Sequence, residues 1–262
     1  MSVGVYMPSY NVEKYICESI FSIIGQTFED WELIILDDCS SDETFKKSGL
    51  IAKTDDRITV YKKDSHSGRI GNIKNEAISK FSKNHEYICH VGSDDKVPEE
   101  CFKIFTEYMD KNKDVGACCG NFICFDDNGK KWTFPHVTNS NQFDSNILLK
   151  YMNLFPMRFY RRSIVESVGG YDNSLTSAVD YDLALKLDEV TKIHRIKDPI
   201  TYYYRQHTEQ VSTKYRKEQN LNAKVALSNA LKRRNIDANI KNDYPPFIIE
   251  TKEEEHFIWG KK

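Results

Sequence analysis

The run Trp31-Glu32-Leu33-Ile34-Ile35-Leu36 narrows the choice of fold more than any other stretch of the chain. It is apolar at every position but Glu32, with no alternation of polar and apolar residues. A strand apolar on both faces must be covered on both faces, which is the condition of a strand inside a parallel sheet flanked by helices. Its neighbours agree. Val3 to Met7, Ile58 to Tyr61 and Tyr87 to Val91 read as further strands. Val12 to Gly25, Ser41 to Lys53, Ile70 to Phe81 and Glu99 to Asn112 read as the helices between and after them. This βαβα rhythm predicts an α/β fold with a doubly wound, mostly parallel central sheet.

The rhythm changes near residue 113. Val115 to Phe125, the turn Asp126-Asp127-Asn128-Gly129 and Lys131 to Phe134 predict a hairpin, a small antiparallel element. Phe143 to Tyr151, Arg162 to Val168 and Val179 to Val190 read as helices, and Ile200 to Arg205 as a tyrosine-rich strand. Tyr215 to Arg234 predicts a long C-terminal helix with Leu221, Val225, Leu227 and Leu231 as its apolar positions. Residues 1–240 are expected to form one domain, with 1–112 and 113–240 as its halves and 241–262 as a tail or linker.

A chain of 262 residues is ample for one buried core. Its net charge of −2 gives no general pull toward nucleic acid or an anionic membrane, so an anionic ligand must be held by local charge. The seven cysteines are odd in number and lack C-x-x-C pairs, and Cys89, Cys118 and Cys124 sit inside apolar stretches. That usage fits buried thiols in a reducing compartment. A signal peptide is not evident, and no apolar run reaches the ~18 residues of a membrane span. The expected location is cytoplasmic, free or peripheral at the membrane.

Acidic residues gather where strands end: Asp37-Asp38, Asp94-Asp95, Asp180 and Asp182. Open α/β sheets bind ligands at the carboxyl ends of their strands. Adjacent carboxylates repel, and a hard divalent cation such as Mg²⁺ or Mn²⁺, often shared with phosphates, offsets that repulsion. Each acid alone also reads as a helix N-cap, with Pro98 after Asp94-Asp95 at the first helical turn. Pro8-Ser9-Tyr10-Asn11 closes the first strand without a glycine-rich dinucleotide fingerprint, which argues against a nicotinamide enzyme. Tyr10 could stack on a base and Asn11 could cap the next helix. Arg69, Lys74 and Asn75 are candidates to meet phosphate, or form a solvated basic face. Asp180 suits a general base at a loop-to-helix junction, and His207 a metal or phosphate contact.

In order, the motifs are Pro8-Ser9-Tyr10-Asn11, Gln26-Thr27-Phe28, Asp37-Asp38-x-Ser40-Ser41-Asp42-x-Thr44 and Ser93-Asp94-Asp95 with Pro98. Gly169-Gly170-Tyr171-Asp172, Val179-Asp180-Tyr181-Asp182 and Tyr204-Arg205-Gln206-His207 follow. Together they resemble a family 2 inverting glycosyltransferase of the GT-A fold, over about residues 1–235. A narrower likeness is to the glucuronosyltransferase module of bacterial chondroitin-type glycosaminoglycan polymerases.

The resemblance implies roles. Residues 1–112 would be the nucleotide-binding half and 113–240 the acceptor-binding half. Pro8, Ser9, Tyr10, Asn11, Asp38, Arg69, Lys74 and Asp94 would bind a UDP-sugar, with Tyr10 on uracil, Asp38 on its N–H and Asp94 on ribose. Asp95 and His207 would hold Mn²⁺ or Mg²⁺. Asp180 would be the catalytic base, with Asp182 as its stand-in, and Gly170, Tyr171 and Asp172 would border a glycan acceptor. A uronic-acid donor would call for a cation, with Arg158, Arg161 and Arg162 as candidates. A neighbouring module could join through the C-terminal tail.

The chain departs from the family pattern twice. A D-x-D triplet lacks its first acid at Gly92 or Ser93, and Val179 stands where many members carry Glu. The Gln-x-x-Arg-Trp motif of processive membrane synthases is absent. The competing readings are a catalytically silent glycan- or nucleotide-binding module and a nucleotidyltransferase on a related fold. Against the second, no basic glycine-rich loop follows the first strand.

Overall fold

A computed structural model describes residues 2–133, 143–210 and 215–251. Strands β1 (Val3–Ser9), β2 (Trp31–Asp37), β3 (Ile58–Lys62) and β4 (Tyr87–His90) lie parallel in the order β3-β2-β1-β4. Every residue of β1 and β2 is buried, as the unbroken apolar run requires. Alternate side chains serve two cores. Tyr6, Ile34, Leu36 and Ile88 enter one, while Val5, Met7, Leu33, Ile35 and Cys89 enter the other. Helices α1 (Ile16–Ile24), α2 (Thr44–Ala52), α3 (Ile70–Ser79) and α4 (Cys101–Lys111) supply the cover.

The second half widens the same sheet. β5 (Val115–Phe125) and β6 (Lys131–Trp132) form the expected hairpin, with Cys124 opposite Trp132; Phe134 lies outside the described residues. A strand not anticipated, β7 (Arg158–Arg161), runs antiparallel between β4 and β5. Four residues that begin and end with arginine carry too short a pattern to show it in the sequence. β8 (Lys192–Arg205) is longer than expected and pairs in parallel with β5. Helices α5 (Ser145–Lys150), α6 (Arg162–Ser167) and α7 (Val179–Asp188) lie between β6 and β8 in the chain.

The C-terminal helix α8 (Arg216–Arg233) buries two of its four expected apolar positions, Leu227 and Leu231. Leu221 and Val225 are exposed, whereas Ala223, Ala226, Leu227, Ala230 and Leu231 are buried. Three alanines join the two leucines on the buried face. Beyond it, β9 (Ala238–Ile240) and β10 (Ile249–Thr251) pair antiparallel, and Phe247 between them is buried in the core. The stretch read as a tail thus begins packed against the body, while residues 252–262 lie outside the described residues.

Candidate active site

Register places the first group of site residues. Ser9 pairs with Asp37 across β1 and β2, so Tyr10 and Asp38 leave the sheet from neighbouring strand ends. Tyr10 is 44% exposed and stands free of the sheet. Asp38 is buried, and its carboxylate accepts from the Ser67 N–H at 3.0 Å and the Ser67 hydroxyl at 3.1 Å. Pro8 and Ser9, assigned to the ligand by resemblance, are buried within β1 and present no side chain to it. Asn11 holds the turn instead, accepting from the Ser41 N–H at 2.9 Å. Backbone strain gathers around these positions. Among the described residues, the non-glycine residues with positive φ are Asn11, Cys39, Ala178 and Asn235, and the first three lie beside Tyr10, Asp38 and Asp180.

The two acids of the Asp94-Asp95 pair sit in different surroundings. Asp95 is buried, and both its oxygens are engaged: Tyr202 donates its hydroxyl to Oδ2 at 2.7 Å and Arg205 its backbone N–H to Oδ1 at 2.8 Å. Burial, then the charge of Asp94, pushes its pKa well up. Asp95 is therefore held in place by the fold as a structural post. Asp94 keeps a side chain 22% exposed, and its Oδ2 lies 3.0 Å from Nε2 of His207. The Nδ1 of His207 is buried without a hydrogen-bond partner among the described residues. Arg205 anchors the whole turn. Its Nε donates to the Asp94 carbonyl at 2.8 Å, its guanidinium also bonds Glu18 and Asp127, and it lies over the Tyr15 and Phe125 rings.

Gly92 lies tight against the acidic pair. A Cβ at Gly92 would come within 2.4 Å of Asp95 Oδ2, so the space where a side chain would begin is already taken. Among the described residues no group of three or more His, Cys, Asp or Glu is set to hold a metal. Asp94 and His207 nonetheless fit a hard cation that takes most of its ligands from phosphate and water, since such ions are commonly held by one or two protein groups.

Asp180 opens α7 and is held from two sides. Lys74 Nζ contacts its oxygens at 2.7 and 2.9 Å, and Arg158 reaches Oδ2 at 3.3 Å. Lys74 is only 2% exposed at its side chain and lies over the Tyr171 ring, whose hydroxyl is 2.6 Å from that of Tyr6. Burial would raise the Asp180 pKa, but Lys74 and then Arg158 outweigh it and hold the carboxyl well below the usual range. Arg158 pairs in register with His90, at the carboxyl end of β4, which brings Asp180 to the same sheet edge as Asp94. Asp182 is fully buried and salt-bridged to Lys186 at 2.7 Å, which removes it as a stand-in for the base.

Several expected contacts are corrected by this geometry. Lys74 meets a carboxylate, not phosphate, because it is sealed beneath Asp180. Arg69 donates to the carbonyls of Asn173 and Ser174, both at 3.1 Å. Tyr171 is buried, Asp172 accepts from the N–H and hydroxyl of Ser174, and Gly170 lies against Asn75, so these three build a turn and do not line an open acceptor surface. Of the three arginines, Arg158 alone meets a site carboxylate; Arg161 is tied to Glu86 and Met109, and Arg162 to Glu166. Tyr202, His66 and Ser67 were not singled out in the sequence. His66 and Ser67 sit in a polar loop with no motif, and Tyr202 is one of three consecutive tyrosines.

Comparison with known proteins gives the family and the fold. Residues 4–169 match the family described as Glycosyl transferase family 2. A chondroitin synthase of Pasteurella multocida (strain Pm70) is 27% identical over 244 residues, covering 89% of this chain and 24% of that protein. The chain spans about a quarter to a third of the length of the curated chondroitin and hyaluronan synthases it matches. Among solved structures, Staphylococcus aureus TarS 1–349 in complex with UDP-GlcNAc superposes with a TM-score of 0.69 at 23% identity, covering 86% of this chain and 65% of that one. A mannosyltransferase from Pyrobaculum calidifontis in complex with GDP-Man and Mn²⁺ superposes with a TM-score of 0.66 at 16% identity, covering 88% and 64%. These two likenesses show the GT-A-like fold.

Proposed function

Since the chain belongs to glycosyl transferase family 2, we propose that it moves a sugar from a UDP-sugar to a glycan acceptor hydroxyl in polysaccharide synthesis, with inversion at the sugar C1. One observation carries the reading: the ends of β1, β2 and β4 present an exposed aromatic ring, an N–H acceptor and a partly exposed carboxylate beside His207 along one edge, and Asp180 joins that edge. Tyr10 would stack on uracil and Asp38 would accept its N3–H. Asp94 and His207 would hold Mn²⁺ or Mg²⁺ against the diphosphate. Bound there, the cation would stabilise the negative charge that grows on the leaving group.

The remaining work falls to the chain's own residues. The acceptor oxygen attacks C1 from the face opposite the diphosphate, the bond from C1 to the phosphate oxygen breaks, and Asp180 receives the hydroxyl proton. Lys74 and Arg158 keep Asp180 ionised and fix its direction. They also make it a weak base, so transfer requires that at least one of the two contacts loosen when substrates bind. Of the three arginines Arg158 lies beside Asp180, so the carboxylate of a UDP-glucuronic acid donor would have to share it with Asp180. In this reading residues 1–112 hold the nucleotide and 113–240 face the acceptor.

The test is calorimetry of UDP with and without Mn²⁺. Asp94→Asn is expected to lose the Mn²⁺-dependent part of UDP binding, whereas Asp95→Asn lowers the melting temperature and leaves that part in the folded fraction. Unchanged Mn²⁺ dependence in Asp94→Asn would remove the metal assignment. Release of UDP from UDP-glucuronic acid, UDP-GlcNAc or UDP-glucose in the presence of acceptor oligosaccharide identifies the donor.

A further inference from the structure

His66 lies where a nucleobase would bind. Its ring stacks on Tyr10 with centroids 4.0 Å apart and planes 20° from parallel. Its Nδ1 lies 2.8 Å from Asp38 Oδ2 and 3.2 Å from the Asp38 carbonyl. With two acceptors facing it, Nδ1 is the nitrogen that carries the hydrogen. The imidazole thus makes both contacts that a uracil would make: a flat ring on Tyr10 and an N–H into Asp38.

The loop around it is built to place that ring. Gly68 has φ +61° and turns the chain back after Ser67, whose N–H and hydroxyl also bond Asp38. On the other side, Cys39 Sγ contacts the Asp64 carbonyl at 3.6 Å. The His66 side chain is nevertheless 46% exposed, so its outer side opens to solvent. At 4.0 Å the gap between the rings holds no third ring.

We propose that His66 is a stand-in for the base: it fills the Tyr10–Asp38 pocket of the free protein and must leave that face when a uracil nucleotide enters. This rests on the reading that Tyr10 and Asp38 form the base site. Exchange has two consequences. The aromatic face and the buried carboxylate of Asp38 stay satisfied without ligand. Apparent affinity is also lowered by the fraction of molecules in which the pocket is open.

The experiment is UDP titration with Mn²⁺ of the full chain and its His66→Ala and His66→Ser variants, by calorimetry. Removing the competitor is expected to tighten UDP binding about three- to tenfold, the inverse of an open fraction of roughly one third to one tenth. In the unaltered chain the His66 imidazole NMR signals are expected to shift on adding UDP as the ring leaves Tyr10. Weaker or unchanged UDP binding in both variants, with Tyr10→Ala and Asp38→Ala still losing affinity, would overturn the stand-in role while leaving the base site in place. UDP binding indifferent to Tyr10→Ala and Asp38→Ala would instead remove the base-site reading, and the inference with it.

Discussion

Asp38 and Asp180 are both engaged by partners from distant parts of the chain, yet the partners differ in kind. Asp38 is met by His66 and Ser67 from one loop, and the His66 side chain is nearly half exposed. Asp180 is met by Lys74 on α3 and Arg158 on β7, side chains 2% and 15% exposed on regular elements. The first set includes a ring that is inexpensive to displace. The second is sealed, because pulling either cation away strips a buried charge of its counter-charge. A carboxylate whose partner swings to solvent is suited to exchanging one ring for another. One whose partners cannot leave entirely is suited to keeping its charge and aim.

The largest expected effect lies on the sealed side. Asp180→Asn should lower sugar transfer about 10²–10⁴-fold, read as UDP release with acceptor present, and leave UDP binding by calorimetry unchanged. Equal loss of binding and turnover would show that Asp180 holds the donor and not the proton. Next, Lys74→Met leaves Asp180 with Arg158 alone in a buried setting. It should destabilise the fold by less than the ~3–5 kcal/mol of a fully broken buried pair, because Arg158 still offsets part of the carboxylate's charge; denaturant unfolding measures it.

The same pair predicts an acid limit. The folded pKa of Asp180 is depressed, so its contribution to stability is full above the unfolded carboxylate pKa of about 3.9. It fades as pH falls below that value. Melting temperature followed from pH 6 to pH 2 should drop less steeply in Asp180→Asn than in the unaltered chain. The smallest effect belongs to the exchangeable side, the several-fold gain in UDP affinity on removing the His66 ring.

Which parts of this were legible in the sequence follows from range. The parallel half was legible because Trp31 to Leu36 and its neighbours carry their burial in local order. Helices α1 to α4 appear within a few residues of their expected places for the same reason. β7 was not legible, since four residues that begin and end with arginine hold no period, and its place between β4 and β5 is set by pairing with strands some 70 and 40 residues away. The alanine face of α8 was hidden by the more hydrophobic Leu221 and Val225.

At the candidate site, the order of motifs pointed to Tyr10, Asp38, Asp94 and His207 after strands and Asp180 at the start of a helix, and each is found there. Tertiary structure decided what each of them is free to do. Asp95 is held as a structural post because Tyr202 and Arg205, brought in by the parallel pairing of β8 on β5, bond both its oxygens, while Asp94 keeps a partly exposed carboxylate. Lys74 became the partner of Asp180, and His66 the partner of Tyr10 and Asp38, through contacts 106, 56 and 28 residues apart in the chain. A motif records the chemistry a side chain carries. Whether its lone pairs are open to a ligand depends on neighbours that only folding supplies.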